Sequence, residues 1–485
     1  MSISALTRLT PRKAFLLTIL SAAALALSGQ GNSPIAGIWV GDLKVQSSSI
    51  TLVLNVTEEN GKLKATLDSP GQGAMGIPVS SISFAKPKLK FESMAIRGSF
   101  VGELSPDGAT IAGTWSQGGQ KFPLSVERRE GVPAPAMARP QEPKPPFPYA
   151  AEDVTFENKK AGIRLAGTLI VPKAASGGAA SFPAAVFATG SGPQNRDEEL
   201  LGHKPFLVIA DYLARRGIAS LRFDDRGVGS SKGKFETATT LDFADDVEAA
   251  FEYLASRPEV NKGAVGIIGH SEGGLIAPIV ASRNPRVSFV VLLAGPGIAG
   301  EDILNLQGEL IARASGSGEE EIARAKEINS ILYGIAKGTG SAASIKAKAK
   351  KAYLDWADSN GALSAEERKA IRANADGMVA AIASPWFRSF LSLDPAPYLA
   401  KVGQPLLALN GSKDLQVPPA EDLAGIRAAL GPGANPKNAL VELPGLNHLF
   451  QRAVTGSPEE YGKIEETIAP EALQAIGDWI LKLWE

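Results

Sequence analysis

The sequence predicts an α/β fold: a mostly parallel sheet flanked by helices, with a helical cap inserted, preceded by a small all-β domain. Three observations carry this. Up to about residue 130 the apolar residues come in short period-two segments. Residues 131–148 then hold seven prolines in eighteen positions, and after Tyr149 apolar strands alternate with amphipathic helices. A chain of 485 residues has room for two or three such units. With 44% hydrophobic and 21% charged residues it can bury cores, unlike a disordered chain.

Taken in order, residues 1–30 place Arg8, Arg12 and Lys13 before the apolar run Ala14 to Leu27, with small residues near its end. This reads as a secretory signal peptide, so export to the periplasm or medium is expected. The run is shorter than the roughly 20 residues a spanning helix needs, so no stable membrane span is expected after cleavage.

Residues 31–130 read as the small all-β domain. Ile50, Leu52, Leu54 and Val56 share one parity, Asn60-Gly61 supplies a hairpin turn, and Leu63, Ala65 and Leu67 resume the alternation. Gly37-Ile38-Trp39 and Gly113-Thr114-Trp115 echo each other, suggesting a barrel or sandwich closed by these two strands. Residues 131–149 form a proline-rich linker, the composition of a semi-rigid extended spacer.

Residues 150–485 make the α/β unit. Its expected strands are Val154–Glu157 and Ile163–Val171, an antiparallel start, then Ala184–Thr189, Ser220–Phe223, Val265–Ile268, Phe289–Ala294, Pro405–Asn410 and Leu440–Leu443. Helices are expected between them, such as Phe206–Arg215, Phe243–Ser256, Gly274–Ser282 and, last, Ala472–Leu483. Residues 298–394 read as entirely helical, an insertion between two core strands that would cap the sheet's carboxyl edge.

Composition excludes several chemistries. Fifty Lys and Arg against 51 Asp and Glu give a formal charge of −1, no footprint for nucleic acid. Cysteine is absent, which removes disulfides, thiolate metal sites and a Cys nucleophile. Only His203, His270 and His448 can supply an imidazole. No metal or other cofactor is implied.

Two G-x-S-x-G matches occur, so context decides between them. Gly229-Ser230-Ser231-Lys232-Gly233 leads into a Thr-rich stretch and reads as a loop. Gly269-His270-Ser271-Glu272-Gly273 follows an apolar strand directly and opens a helix. That is a nucleophile elbow: the glycines admit close backbone packing, and the strained turn lifts the Ser271 hydroxyl above the sheet. A serine needs a neutral imidazole to take its proton, and the imidazole needs a carboxylate to orient it.

His270 lies in the elbow and should point away from Ser271. His203 suits a loop or capping role. His448 immediately follows the last apolar strand, where a loop returns over the elbow, and is the favoured base. Asp414, four residues past the strand ending at Asn410, is the favoured acid over Asp302, although an ordinary Asx turn would also explain it. The order Ser271, Asp414, His448 is that of the α/β-hydrolase arrangement. An oxyanion needs two backbone N–H donors: one from Glu272, the other from Ser191 or Gly192 in the glycine-rich loop 189–194. A phosphate loop is excluded there because G-K-[ST] is missing.

The chain resembles secreted bacterial α/β-hydrolases of the serine-esterase type over nearly all of residues 150–485. The resemblance rests on T-G-S-G-P-Q-N-R-D at 189–197, R-F-D-D-R-G-V-G-S-S at 222–231, G-H-S-E-G-G at 269–274, G-S-K-D-x-Q-V-P at 411–418, S-P-W-F-R-S-F at 384–390 and N-H at 447–448. Weaker motifs relate the β domain to an N-terminal extension some of these esterases carry. The chain departs from many lipases in having Gly-Ser-Gly where they have His-Gly-Gly. The resemblance implies a carboxylesterase that acts on a small-molecule ester through an acyl-enzyme. A serine peptidase or amidase is the alternative; a noncatalytic envelope binding protein is the second. Trp386, Phe387 and Phe390, at the end of the cap, are expected to wall the substrate pocket, and Asp224–Arg226 to form a structural loop near the active face.

Overall fold

The computed structural model describes residues 33–485, except 46–47, 60, 70–73, 95, 97, 118–119, 130–138 and 174–180. The segment expected to be a signal peptide and the first part of the proline-rich run, up to residue 138, thus lie outside the described residues. Contacts divide the chain into two compact units, residues 1–136 and 137–485.

The first unit is one antiparallel nine-stranded sheet: β1 (Gly37–Val45), β2 (Ser48–Glu59), β3 (Lys62–Ser69), β4 (Ala74–Pro78), β5 (Ser81–Ala85), β6 (Lys88–Ser93), β7 (Gly98–Leu104), β8 (Thr110–Gln117) and β9 (Gln120–Arg129). The strands run in the order β4-β3-β2-β1-β9-β8-β7-β6-β5, an up-and-down meander in which β1 closes on β9. The closing pair is therefore not the two Gly-x-Trp strands, because β9 lies between β1 and β8. Their tryptophans still meet in one core: Trp39 and Trp115 are fully buried with Leu54, Leu89, Phe100 and Ile111. Period-two burial in β6 and β7 puts one face of each strand into that core.

The second unit opens with β10 (Tyr149–Asn158) and β11 (Ile163–Pro172), an antiparallel pair, followed by β12 (Phe182–Ala188), α1 (Pro205–Arg215), β13 (Ala219–Phe223), α2 (Thr240–Ser256), β14 (Val260–His270), α3 (Glu272–Ala281) and β15 (Val290–Leu293). The cap follows as α4 (Gly300–Ala314), α5 (Glu319–Lys337), α6 (Ala342–Ser359), α7 (Ala365–Ile382) and α8 (Pro385–Ser392). After the short α9 (Ala396–Leu399) the chain re-enters the sheet with β16 (Leu406–Gly411), α10 (Pro419–Leu430), β17 (Ala439–Leu443) and α11 (Pro470–Lys482).

The sheet order is β10-β11-β13-β12-β14-β15-β16-β17, parallel from β13 onward. This is the α/β-hydrolase fold. Strands β13, β15 and β16 are buried at every position, as expected of a sheet covered on both faces. The cap has its own core, in which Leu332, Tyr333, Ala349, Val379 and Phe387 pack together.

Helix α10, between β16 and β17, opens on Pro418-Pro419. The linker ends earlier than the sequence suggests: Arg139 donates to the carbonyls of Ile464 and Leu201 at 2.6 and 2.8 Å, and Gln141 pairs with the backbone of Thr467 and Ile468. From Arg139 on, the segment is bound to the second unit.

Candidate active site

β14 delivers Ser271 to the carboxyl edge of the sheet. Ser271 is held at φ 53° and ψ −119°, a positive φ that a side-chain-bearing residue adopts only under constraint. Its N–H donates to the Leu293 carbonyl at 2.9 Å, and its carbonyl accepts from the Gly274 N–H at 2.8 Å. The flanking glycines are sterically required. A Cβ on Gly269 would lie 2.0 Å from the Gly273 carbonyl oxygen, and one on Gly273 would lie 2.0 Å from that of Ala188.

The loops after β16 and β17 bring Asp414 and His448 together. His448 Nδ1 lies 2.8 Å from Asp414 Oδ2, and both residues are buried. The other carboxylate oxygen, Oδ1, accepts the N–H groups of Gln416 and Val417 at 2.8 and 2.9 Å. The Asx turn expected of a loop aspartate is thus present as well, on the oxygen that His448 does not use. Asn447 shapes the His448 loop, its Oδ1 accepting from Leu449 and Gln451 N–H. Asp302 is exposed in the first turn of α4.

The glycine-rich loop after β12 is fixed from below. Asp225, buried, accepts from the Thr189 hydroxyl at 2.8 Å and the Gln194 N–H at 2.9 Å. Burial drives its carboxyl well above the usual carboxylate range despite those bonds. Asp224 binds the Arg196 guanidinium at 2.8–3.0 Å, and Arg226 pairs with buried Asp246 at 2.6 Å. Within the loop, Gly190 donates to Glu198 Oε1 at 2.6 Å. Gly192 sits at φ 99°.

Glu272, the first residue of α3, is buried, and burial raises its pKa against hydrogen bonds from Thr240 and Trp386. Trp386 is half-buried beside it and bridges the cap and sheet cores. Phe390 packs into the sheet core; Phe387 packs into the cap core, its ring 5.6 Å from Tyr333.

The remaining candidates have structural partners. Ser231 donates to the Asp224 carbonyl at 2.6 Å and accepts from Ala166 N–H at 2.9 Å. His203 lies between Thr467 Oγ1 and the Tyr461 carbonyl, and burial lowers its pKa to about 4, so it is neutral at pH 7. His270 turns away from Ser271 toward Glu198 and the His448 carbonyl. No local pattern marks Glu198 in the sequence apart from its place just past the T-G-S-G-P-Q-N-R-D run. Among the described residues no cluster of three metal-ligating side chains occurs, and no helix is long and apolar enough to cross a membrane.

Comparison with known proteins places residues 205–325 in a match to the family described as "Serine aminopeptidase, S33". Esterase EstD of Thermotoga maritima is 25% identical over 338 residues, which span 69% of this chain and 70% of that protein. An uncharacterized protein of Pseudomonas aeruginosa is 32% identical over 150 residues, 30% of this chain and 38% of that one. Among solved structures, the α/β hydrolase GrgF from Penicillium aligns with a TM-score of 0.42 at 18% identity, covering 69% of this chain and 98% of its own.

Proposed function

We propose that the second unit is a serine hydrolase cleaving small-molecule carboxylic esters, with Ser271 as nucleophile, His448 as general base and Asp414 as its orienting acid. The observation that supports this best is the strained Ser271, presented between β14 and α3, together with the 2.8 Å contact between His448 Nδ1 and Asp414. In this reading Ser271 Oγ attacks the ester carbonyl and His448 Nε2 takes its proton. Asp414 holds the Nδ1–H and stabilises the imidazolium that forms. His448 then protonates the departing alcohol, and water hydrolyses the acyl-enzyme by the same route.

The tetrahedral oxyanion is stabilised by backbone N–H groups. Glu272 supplies one. The Gly190 N–H is already bound to Glu198, so the second comes from Ser191 or Gly192. Similarity to an esterase over 69% of the chain supports an ester substrate. The match to the serine aminopeptidase description favours a second reading, hydrolysis of a peptide or amide. Turnover of p-nitrophenyl acetate against an aminoacyl p-nitroanilide separates the two. Labelling by a fluorophosphonate probe that disappears in Ser271→Ala tests the nucleophile; undiminished labelling rejects it. Export, which rests on residues 1–30, is tested by finding the mature chain outside the cytoplasm with a new N-terminus.

A further inference from the structure

The three loops that meet at Ser271 share one buried connector that the proposed reaction does not use. Glu198, in the loop between β12 and α1, accepts the Gly190 N–H with Oε1, and the same oxygen lies 3.0 Å from His270 Nδ1. On the other side of the ring, His270 Nε2 lies 3.0 Å from the carbonyl oxygen of His448. One chain of contacts therefore runs from the glycine-rich loop through the elbow to the loop of the proposed base.

Both partners of the His270 ring are acceptors. A neutral imidazole has one N–H, so one of the two contacts would oppose lone pairs; an imidazolium donates to both. The pair is buried, with side-chain exposures of 9% for His270 and 6% for Glu198, where a charge persists only if paired. Behind it a small cavity is walled by Phe206, Ile209, Leu293, Leu449 and Ile468, apolar groups that offer neither residue another polar partner.

We infer that Glu198 and protonated His270 form a positioning ion pair that fixes the backbone of His448 and the glycine-rich loop against the Ser271 elbow. This rests on the reading of Ser271 and His448 as the reacting pair. Neither Glu198 nor His270 touches substrate; they act through Gly190 and His448.

Three groups face His270: Glu198 from the loop after β12, Asp414 from the loop after β16, and His448 from the loop after β17, its ring 4.8 Å away. Burial pulls the His270 pKa down, but the charge and hydrogen bond of Glu198, the His448 carbonyl and Asp414 together carry it above 6.5. A raised folded-state pKa means that the pair's stabilisation is complete below about pH 6.5 and is lost as pH rises through the folded value. The connector should loosen on the alkaline side.

The test uses the full chain with 15N-labelled histidine. Three histidines, assigned by single substitution, give resolvable imidazole signals. In wild type both His270 nitrogens should carry protons at pH 6.5 and titrate above it; in Glu198→Gln the titration should move to lower pH. With p-nitrophenyl acetate, Glu198→Gln and His270→Gln should each lose about 10- to 100-fold in kcat with KM within about threefold, the cost of a misplaced catalytic group. The alkaline fall of wild-type kcat should follow the His270 titration.

A singly protonated His270 at pH 6, or a Glu198→Gln enzyme with wild-type kcat and pH profile, overturns the proposal. If neither variant folds, the wild-type ring titration set against the pH dependence of fluorophosphonate labelling decides, and labelling that stays flat across the titration rejects it. A wild type that is inert to ester and probe rejects the serine-hydrolase reading, and the positioning role with it, while the ring signals still show whether the ion pair exists.

Discussion

The indole N–H of Trp386 donates to both carboxylate oxygens of Glu272, at 2.9 Å each. It joins the last cap helix, α8, to the residue that follows the proposed nucleophile. The same carboxylate accepts the Thr240 hydroxyl at 2.7 Å, tying in the start of α2. A buried carboxylate with this many donors is costly to leave short of one.

Trp386→Phe keeps an aromatic ring to stack on Phe390 but removes the donor. It should destabilise the second unit by about 1–3 kcal/mol, the range for leaving a buried acceptor short of its hydrogen bond. Combined with Glu272→Gln, the losses should be non-additive by more than about 0.5 kcal/mol in a denaturation cycle. Strict additivity would mean that the contact contributes no stability.

Asp414→Asn separates the two jobs of that side chain. The amide oxygen can still accept from Gln416 and Val417, preserving the turn, while its NH2 faces His448 Nδ1 and selects the wrong tautomer. Thermal stability should change little and kcat should fall by about 10³- to 10⁴-fold. A variant that keeps more than a tenth of wild-type kcat would remove Asp414 from the reacting group.

Two glycines should respond oppositely to an added methyl. Gly273→Ala would place Cβ 2.0 Å from the Ala188 carbonyl oxygen, backbone that cannot give way without moving β12. A loss of about 3 kcal/mol or more, or insolubility, is expected. Gly308, inside α4, has open space around the added methyl, so Gly308→Ala should stabilise by about 0.5–1 kcal/mol through helix propensity. Chemical denaturation of both variants checks the contrast.

Asp422, fully buried in the first turn of α10, accepts the Gly297 N–H at 2.7 Å, and burial raises its pKa to about 7. The sign is unfavourable to the ionised form. Between pH 3.8 and about 7 the folded chain binds the proton that the unfolded chain has lost, so stability falls as pH rises through that window and is lowest above it. Asp422→Asn keeps the Gly297 bond and cannot ionise. Its stability should gain on wild type from pH 4 to 7, by up to about 4 kcal/mol at 1.4 per pH unit, then level off. A difference that does not vary with pH would show that Asp422 is ionised throughout.

These residues also show what a sequence can display. The elbow is legible because strand, G-x-S-x-G and helix are contiguous and each glycine answers a steric need. The parallel sheet and cap are legible because burial writes itself as apolar runs and helical stripes. Asp414 and His448 are marked only by their places after two apolar strands; the bond between them, 34 residues apart, belongs to the folded sheet. Glu198 and His270 are 72 residues apart and Glu272 and Trp386 are 114 apart, with no local pattern announcing either contact. Strand neighbours in the β unit are hidden for a related reason: two similar Gly-x-Trp segments look paired in sequence, whereas the meander inserts β9 between them.

The cap aromatics offer the sharpest separation of packing from selectivity. Phe390 is buried against the sheet and Phe387 against Tyr333 in the cap, so truncating either to alanine removes core and should cost about 3–5 kcal/mol. Trp386 is half-buried, and its indole reaches the Glu272 carboxylate, so in the proposed reading it is the member of the trio that borders the acyl chain. A wall contact discriminates neighbouring chain lengths by about 1–3 kcal/mol per methylene. Comparing kcat/KM for acetyl, butyryl and octanoyl esters, Trp386→Ala should change the ratio between chain lengths by tenfold or more. Phe387→Ala and Phe390→Ala should lower stability and leave that ratio within about threefold of wild type. The reverse pattern, with selectivity moving in the phenylalanine variants and not in Trp386→Ala, would place the acyl pocket on the cap side of α8 and leave the Trp386–Glu272 contact as a fastening of the cap.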